Sequence, residues 1–549
     1  MKPDSHQSPA EGGGVKPAAS AIFLLSAAVI ALELALMRCL SVATWHHFSY
    51  FVISSALMGF GASGTLLSLA GDRMRRRFWD WCFFLSIAFA LSAPLCFRTA
   101  QALPVNFQFT LSSPRQALLL IPYHLLLFLP FFIAATVIGL SLSHFRGDTH
   151  VIYGANLVGN GAGGILMLSL MTVMPETRLL YAVSALGYAA ALLWMLSPPR
   201  AAEHGSFPRT VRRVVLPAAC VLSGVFALKH PVELDVDQYK GLATVRRWEQ
   251  QGSAEHILTR HDPRSRIDVY DSSLFHRVLF AGLTAEKGPP PQAQLFLDGY
   301  AGSPILKIKN HREAPILKHT LMSVPYRVID KPDVLLLGET TGTNVWLARR
   351  YDSRRITAVQ RNPRLLEVMQ GPLVRLSGGD LALAGVEARV QSPRLYLERS
   401  RRPYDLIQVV RAEGMAAGTS GLLSLREDYL LTVEGFALAL GRLRPGGLLA
   451  ITRGTQSPPR DNIKILATIA RALESTGVEN PGRHVVQLRN YLGIITLASR
   501  SPFSERTCER IKRAARRLQL DVNWSACPTL ETGSEYARVE QPDLPLLPG

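Results

Sequence analysis

Asp333-Val334-Leu335-Leu336-Leu337-Gly338-Glu339-Thr340-Thr341-Gly342-Thr343-Asn344 decides the fold of the second half of this 549-residue chain. A short, continuous apolar run closed by glycine fits a strand covered on both faces, as in parallel sheets. Residues 345–349 continue as a helix. Such a strand–turn–helix unit aims the free N–H groups of the helix start at an anionic or polar ligand. The next strand is predicted at 355–360. In cofactor-binding versions of the unit, an acid at its end takes the ribose hydroxyls; here that position is Gln360. Gly338 and Gly342, four apart, fit many turns and do not identify a ligand alone. Further strands are predicted at 404–410 and 446–452, with an amphipathic helix around 429–443. Alternating strands and helices over 331–525 predict a doubly wound α/β sheet with right-handed crossovers. Just upstream, β-type runs at 265–270 and 294–298 lie between Gly- and Pro-rich loops, so 230–330 reads as a small β-rich domain.

Before residue 230 the chain changes character. Apolar runs fall at about 18–40, 49–70, 78–97, 117–142, 151–173, 179–196 and 214–228. A helix crosses a hydrocarbon core of roughly 30 Å in about 20 residues, a length the first six runs meet or approach. The seventh is short, but Arg212, Arg213 and Lys229 flank it and can reach the interfaces. Residues 18–229 are therefore expected to form an α-helical transmembrane bundle of six or seven spans. The composition agrees, with 48% apolar residues, 19% charged residues and a mean hydropathy of +0.14. The charge of +18 leaves anionic lipid and nucleic acid as partner classes. With the N-terminus inside, eleven Lys and Arg residues fall on inner segments and three, Arg98, Arg115 and Arg178, on outer loops. Positive residues gather on the cytoplasmic side, so a cytoplasmic N-terminus is expected. Seven spans then place everything after Lys229 outside the cytoplasm, and six place it inside. Residues 1–17 read as a disordered tail and 526–549 as a loose one.

Ionisable and amide side chains inside the runs are candidate sites. Glu33 and Arg38 lie five apart on the first run and do not share a helix face, so each is expected to find a partner elsewhere. They read as a solute or proton path, or as a packing pair. Asn156 and Asn160 lie four apart among Gly154, Gly159, Gly161, Gly163 and Gly164. Small residues let helices approach and amides bond across them, with Gly59, Gly61 and Gly64 of the second run as the expected facing surface. A polar cavity is the other reading. His46 and His47 lack a Cys or carboxylate at ligand spacing, so no metal site is expected. The arginine runs at 349–361 and 399–402 have few aromatics between them, which favours a solvated face or anionic headgroups over nucleic acid. Cys508 and Cys527 can pair in an oxidising compartment.

From Gln238-Tyr-Lys-Gly241 to Trp524 the chain resembles the spermidine synthase-like family, in its bacterial branch fused to a polytopic membrane segment. The resemblance rests on Ser265-Arg-Ile-Asp-Val, Leu297-Asp-Gly-Tyr-Ala-Gly-Ser-Pro304, the Gly338 turn, Tyr404-Asp-Leu-Ile-Gln408, Leu425-Arg-Glu-Asp-Tyr-Leu-Leu-Thr-Val-Glu434, Leu443-Arg-Pro-Gly-Gly447 and Ile451-Thr-Arg453. It implies a small β domain, a class I methyltransferase-like Rossmann domain, and a multi-pass protein of the bacterial inner membrane. The parent enzymes move an aminopropyl group from decarboxylated S-adenosylmethionine to a polyamine. Their glycine-rich turn matches Gly338, Glu339 and Gly342, their ribose acid Gln360, their adenine-side segment Ser392, Pro393 and Arg394, and their catalytic acid Val410. Valine cannot accept a proton; Glu413 is the nearest candidate base. The resemblance thus implies a degenerate domain that binds a nucleoside-type or polyamine ligand, S-adenosylmethionine or its decarboxylated form included. An active aminopropyl- or methyl-transferase, and a transporter or membrane-assembly component with a scaffold domain, stay open beside it. The bilayer is the expected partner, with self-association into a homo-oligomer allowed.

Overall fold

The computed structural model describes residues 12–44, 49–107, 112–196, 208–229, 234–410, 429–456, 461–534 and 536. The chain divides into two compact units, Met1–Gln238 with His261–Arg266, and Tyr239–Arg260 with Ile267–Gly549.

The first unit holds helices α1 (Gly12–Ala43), α2 (Ser49–Arg75), α3 (Phe78–Gln101), α4 (Pro114–His144), α5 (Thr149–Leu170), α6 (Glu176–Leu196) and α7 (Arg209–Lys229). All seven are long and apolar enough to cross a membrane. α1, α3 and α4 bury most of their surface, whereas Leu57, Leu69, Ile165, Val221 and Leu222 on α2, α5 and α7 stay exposed. α1 starts at Gly12, inside the stretch expected to be disordered, and Gly14 sits beside the Trp79 ring.

Glycine spacing fixes the tightest helix pair. Gly159 and Gly163 lie so close to Phe23 and Ala27 of α1 that a Cβ would collide with their backbone carbonyls. Beside them Ser26 Oγ donates to Asn156 Oδ1 at 2.8 Å. The facing surface is therefore α1 and not the Gly59–Gly61–Gly64 stripe of α2. Gly59 packs on Phe131 and Phe132 of α4 instead, and Gly61 and Gly64 face open space. The short seventh run is a helix tied to the bundle on one side. Buried Arg212 of α7 pairs with buried Asp80 of α3, and Tyr188 of α6 bonds Ser223. Beyond α7, the Asp237 N–H donates to Ala43 O at 2.8 Å and the Asp235 N–H to Gln101 Oε1 at 3.2 Å. The chain thus leaves the bundle at the end where α1 and α3 finish.

The second unit opens with α8 (Gly241–Gln250) and an antiparallel sheet of β1 (Glu255–Arg260), β2 (Ile267–Asp271), β3 (Gln292–Leu297) and β4 (Tyr300–Leu306), in that spatial order. Short 3₁₀ turns and α9 (Val324–Val328) lead to the α/β domain. Its elements are β5 (Asp333–Leu337), α10 (Thr343–Arg350), β6 (Arg355–Gln360), α11 (Pro363–Gln370), β7 (Val386–Val390), α12 (Pro393–Arg399), β8 (Tyr404–Val409), α13 (Val433–Gly441), β9 (Leu443–Gly454), α14 (Asp461–Ser475), β10 (Val485–Arg489), β11 (Gly493–Ala498), α15 (Glu505–Leu518) and β12 (Asp521–Ser525). The sheet runs β12-β10-β11-β9-β8-β5-β6-β7. Pairings among β5 to β9 are parallel, whereas β11 runs antiparallel to both β9 and β10. This is a doubly wound α/β sheet, parallel at its centre and closed on one side by antiparallel strands.

The opening stretch explains the core. Side chains alternate across a strand, so Val334 and Leu336 of β5 enter the apolar layer holding Val345 and Trp346, while Leu335 and Leu337 enter the one holding Phe436 and Ile469. All four are fully buried, each contributing about 1.5–3 kcal/mol. The tail expected to be loose from 526 is tied down as far as Tyr536. Cys527 forms a disulfide with Cys508, Gly533 exchanges backbone bonds with Val522, and the Tyr536 N–H donates to Asp521.

Candidate functional site

In a doubly wound sheet, ligands bind beyond the carboxyl ends of the strands where the order reverses. Here that point lies between β5 and β8, at the Gly338 turn. Gly338 and Gly342 take the left-handed conformation, at φ +86° and +76°. The Gly338 N–H donates to Val359 O at 2.9 Å, anchoring the turn to β6. Thr341 and Thr343 both donate their hydroxyls to Pro304 O, clamping it to β4.

The turn presents its N–H groups to one acceptor, and that acceptor is its own side chain. Glu339 Oε1 accepts from the N–H groups of Thr340, Thr341 and Gly342 at 3.0, 3.2 and 2.9 Å. Oε2 accepts from Asn344 Nδ2 at 2.9 Å. The carboxyl is 1% exposed, and burial raises its pKa even against four donors. Gln360 is equally committed. Its Nε2 donates to Glu339 O at 2.6 Å and its Oε1 accepts from the Asn362 N–H at 3.1 Å. Gly338, Glu339, Gly342 and Gln360 are thus brought together, but the bonding groups of the two side chains are taken up by the turn's own backbone and by Asn344 and Asn362. The residues present do not fit an adenosyl group held by turn amides and a ribose acid.

A second acid, Asp380, joins them, missed in the sequence because nothing local ties it to the turn. Its carboxyl packs against Gly342, where a Cβ would overlap it. Oδ1 accepts from the Leu381 N–H at 2.7 Å, and burial with the nearby Glu339 charge pushes its pKa up to about 7. Tyr326, also fully buried, donates to Gln408 Oε1 at 2.8 Å, and burial holds its phenol well above the ordinary range.

The remaining candidates sit apart. Ser392 is exposed at the start of α12, one residue after Gln391, whose N–H donates to Gln360 O. Arg394 turns toward α13, with Nε on Glu398 at 2.6 Å and Nη1 at 3.4 Å from both Tyr429 O and Thr432 Oγ1. Val410 is buried in the apolar core. Glu413, His46 and His47 lie outside the described residues. Among the described residues no three His, Cys, Asp or Glu side chains form a metal-ligand group.

In the first unit, Arg38 finds the partner its spacing demanded: Glu176 at the start of α6, at 3.4 Å. His261 Nδ1 at 3.2 Å and Arg266 at 3.6 Å meet the same carboxylate, and the Cys39 thiol donates to Glu176 O at 3.5 Å. Glu176, an acid heading an apolar run, was the overlooked signal. Glu33 is half-buried, and neither it nor Asn160 has a polar partner among the described residues.

No family model matches this chain, and no curated protein matches it. Solved structures do. A spermidine synthase bound to the transition-state analogue AdoDATO is 15% identical, with a TM-score of 0.31, over 49% of this chain and 80% of that one. The spermidine synthase of Thermotoga maritima is 16% identical, with a TM-score of 0.31, over 47% and 78% of the two chains. A probable spermidine synthase of Corynebacterium glutamicum is 18% identical, with a TM-score of 0.33, over 47% and 86%.

Proposed function

We propose that this chain is a polytopic membrane protein whose extracytoplasmic, spermidine synthase-like domain binds a polyamine ligand, or a nucleoside-type one held by groups other than the Gly338 turn amides, and does not transfer aminopropyl groups. The observation that carries the reading is the Glu339 carboxylate, which fills the ring of N–H groups at the Gly338 turn. A charged ligand at that turn has to displace a buried, four-fold bonded carboxylate. Val410 at the position of the parent catalytic acid supports the same conclusion, because a general base must be titratable.

The placement outside the cytoplasm rests on three features. Seven helices are long and apolar enough to span, basic residues favour the inner segments, and the Cys508–Cys527 disulfide suits an oxidising compartment.

The test is calorimetry and product analysis on the full chain in maltoside micelles. S-adenosylmethionine, its decarboxylated form and spermidine are titrated separately, and putrescine with the decarboxylated form is assayed for methylthioadenosine. The expected result is binding of at least one ligand without turnover. Release of methylthioadenosine above the uncatalysed rate overturns the reading, and so does the absence of binding by all three.

A further inference from the structure

The end of the α/β sheet opposite the Gly338 turn, where β5, β8 and β9 begin, carries two groups of basic residues that the fold treats differently. In one, Arg354 pairs with Asp405 at 2.9 Å and Arg444 bridges Asp405 and Asp333 at 2.8 and 3.0 Å. Every cation there has a carboxylate. In the other, around Tyr351 just past the end of α10, none has. Lys318 Nζ lies 5.8 Å and the Arg327 guanidinium 5.9 Å from the centre of the Tyr351 ring. The ring itself stacks on Tyr326 at 5.6 Å. Arg327 is aimed by donating to Lys318 O at 2.6 Å, and Arg350 by donating to His311 O at 2.8 Å. Exposed Arg517 comes from α15, which packs on α9.

Among the described residues, Lys318, Arg327, Arg350 and Arg517 form no ion pair. Asp352 and Glu286 are the carboxylates whose charge reaches Lys318 and His319, and neither comes within pairing distance. The buried Nε atoms of Arg327 and Arg350 have no acceptor.

Lys318 and Arg327 meet at one ring, Arg350 and Arg517 lie near enough for their charges to be felt there, and these four cations repel each other without neutralisation, at the expense of the fold. We propose that this face is a binding site for a phosphate-bearing anion, with Lys318, Arg327, Arg350 and Arg517 as its donors. Arginine forks and lysine both favour phosphate oxygens, and a dianion offsets more of this charge than a carboxylate does. The repulsion is already felt in the protein. Burial and then Arg350, Arg327 and Arg517 pull the Lys318 ammonium below its ordinary range, and burial, Arg327 and Arg517 do the same to His319. The α10 helix separates this face from the Gly342 turn by about 12 Å of axis, so the site is distinct from the strand-end crevice and independent of what that crevice binds.

The phosphate comes either from a free phosphate ester or from a lipid headgroup, and one experiment distinguishes them. Thermal unfolding of the full chain is followed in maltoside micelles, which contain no phosphate, with inorganic phosphate or with chloride at matched ionic strength. Phosphate is expected to raise the midpoint by roughly 3 °C beyond chloride. Arg517→Gln and Lys318→Gln, both at accessible positions, are expected to raise the midpoint in chloride by relieving repulsion and to weaken the phosphate response about tenfold. In nanodiscs containing phosphatidylglycerol, loss of the response assigns the site to lipid headgroups, and persistence assigns it to a soluble phosphate ester. Identical midpoints in phosphate and chloride overturn the proposal, as do variants that are destabilised with the phosphate response intact.

Discussion

Asp380 shows how one side chain carries a property of the whole α/β domain. It is buried against Gly342, and its pKa stands at about 7 against an ordinary 3.8. A carboxyl raised in this way favours the folded state when protonated. Its contribution is fully present below pH 4 and is lost as pH rises through 7. Asp380→Asn keeps the shape and removes the charge. It is expected to flatten the fall in stability between pH 5 and pH 8 and to stabilise the protein at pH 8 by about 2–4 kcal/mol. Denaturant midpoints of the full chain at the two pH values provide the check, and equal slopes for both proteins contradict it. At this scale the sequence was legible in part. Glu339 announces itself as an acid inside a glycine turn, but a carboxylate that receives a ligand and one that fills its own turn have the same letter. Only the three N–H distances separate the two roles. Asp380 had no local signature, because its partner is a glycine far back in the chain.

Among elements, the glycine stripe of α5 was readable as a contact face and unreadable as to its partner. Small residues at 159 and 163 announce a close approach, yet α2 offers the same residue type at 59, 61 and 64. What selects α1 is backbone proximity, with the Ser26–Asn156 bond beside it. Gly159→Val forces a branched side chain into the Phe23 carbonyl and is expected to cost about 1–3 kcal/mol. Gly161→Val, which meets nothing within 4 Å on its side of the same helix, is expected to change stability by less than about 0.5 kcal/mol. Thermal midpoints in detergent check the pair, and equal losses remove the argument. The strands were easier to read. Residues 333–337 form β5 as their run predicts, because a strand buried on both faces leaves an unbroken apolar signature. The antiparallel insertion of β11 between β9 and β10 left no such mark, since pairing order depends on residues that a local run does not contain.

For the molecule as a whole, the short seventh run decides the compartment. Its flanking arginine, which read as an interface anchor, is buried in an ion pair with Asp80, so α7 is held by the bundle as well as by its apolar length. The proposed topology, seven spans with a cytoplasmic N-terminus, predicts that alkaline phosphatase fused to the C-terminus is active and that green fluorescent protein fused there is dark. The opposite pair of results relocates the domain and removes the compartmental reading of the Cys508–Cys527 disulfide. The division into an apolar half and an α/β half was plain in the sequence because composition shifts sharply near residue 230. The binding arrangement within the α/β half was not, because it depends on which polar groups have already bonded one another.

The strand order also has a temporal consequence. β9 lies inside the sheet, but one of its two neighbours, β11, is made some forty residues later. Until that segment arrives, β9 presents a bare hydrogen-bonding edge of largely buried-type residues, the kind of edge that recruits strands from other chains. If the domain is delivered across a bilayer as it is made, this exposure occurs on the far side, away from cytoplasmic chaperones. A chain interrupted between Gly454 and Gly493 therefore lacks more than a C-terminal ornament. It carries an adhesive edge that the complete protein conceals.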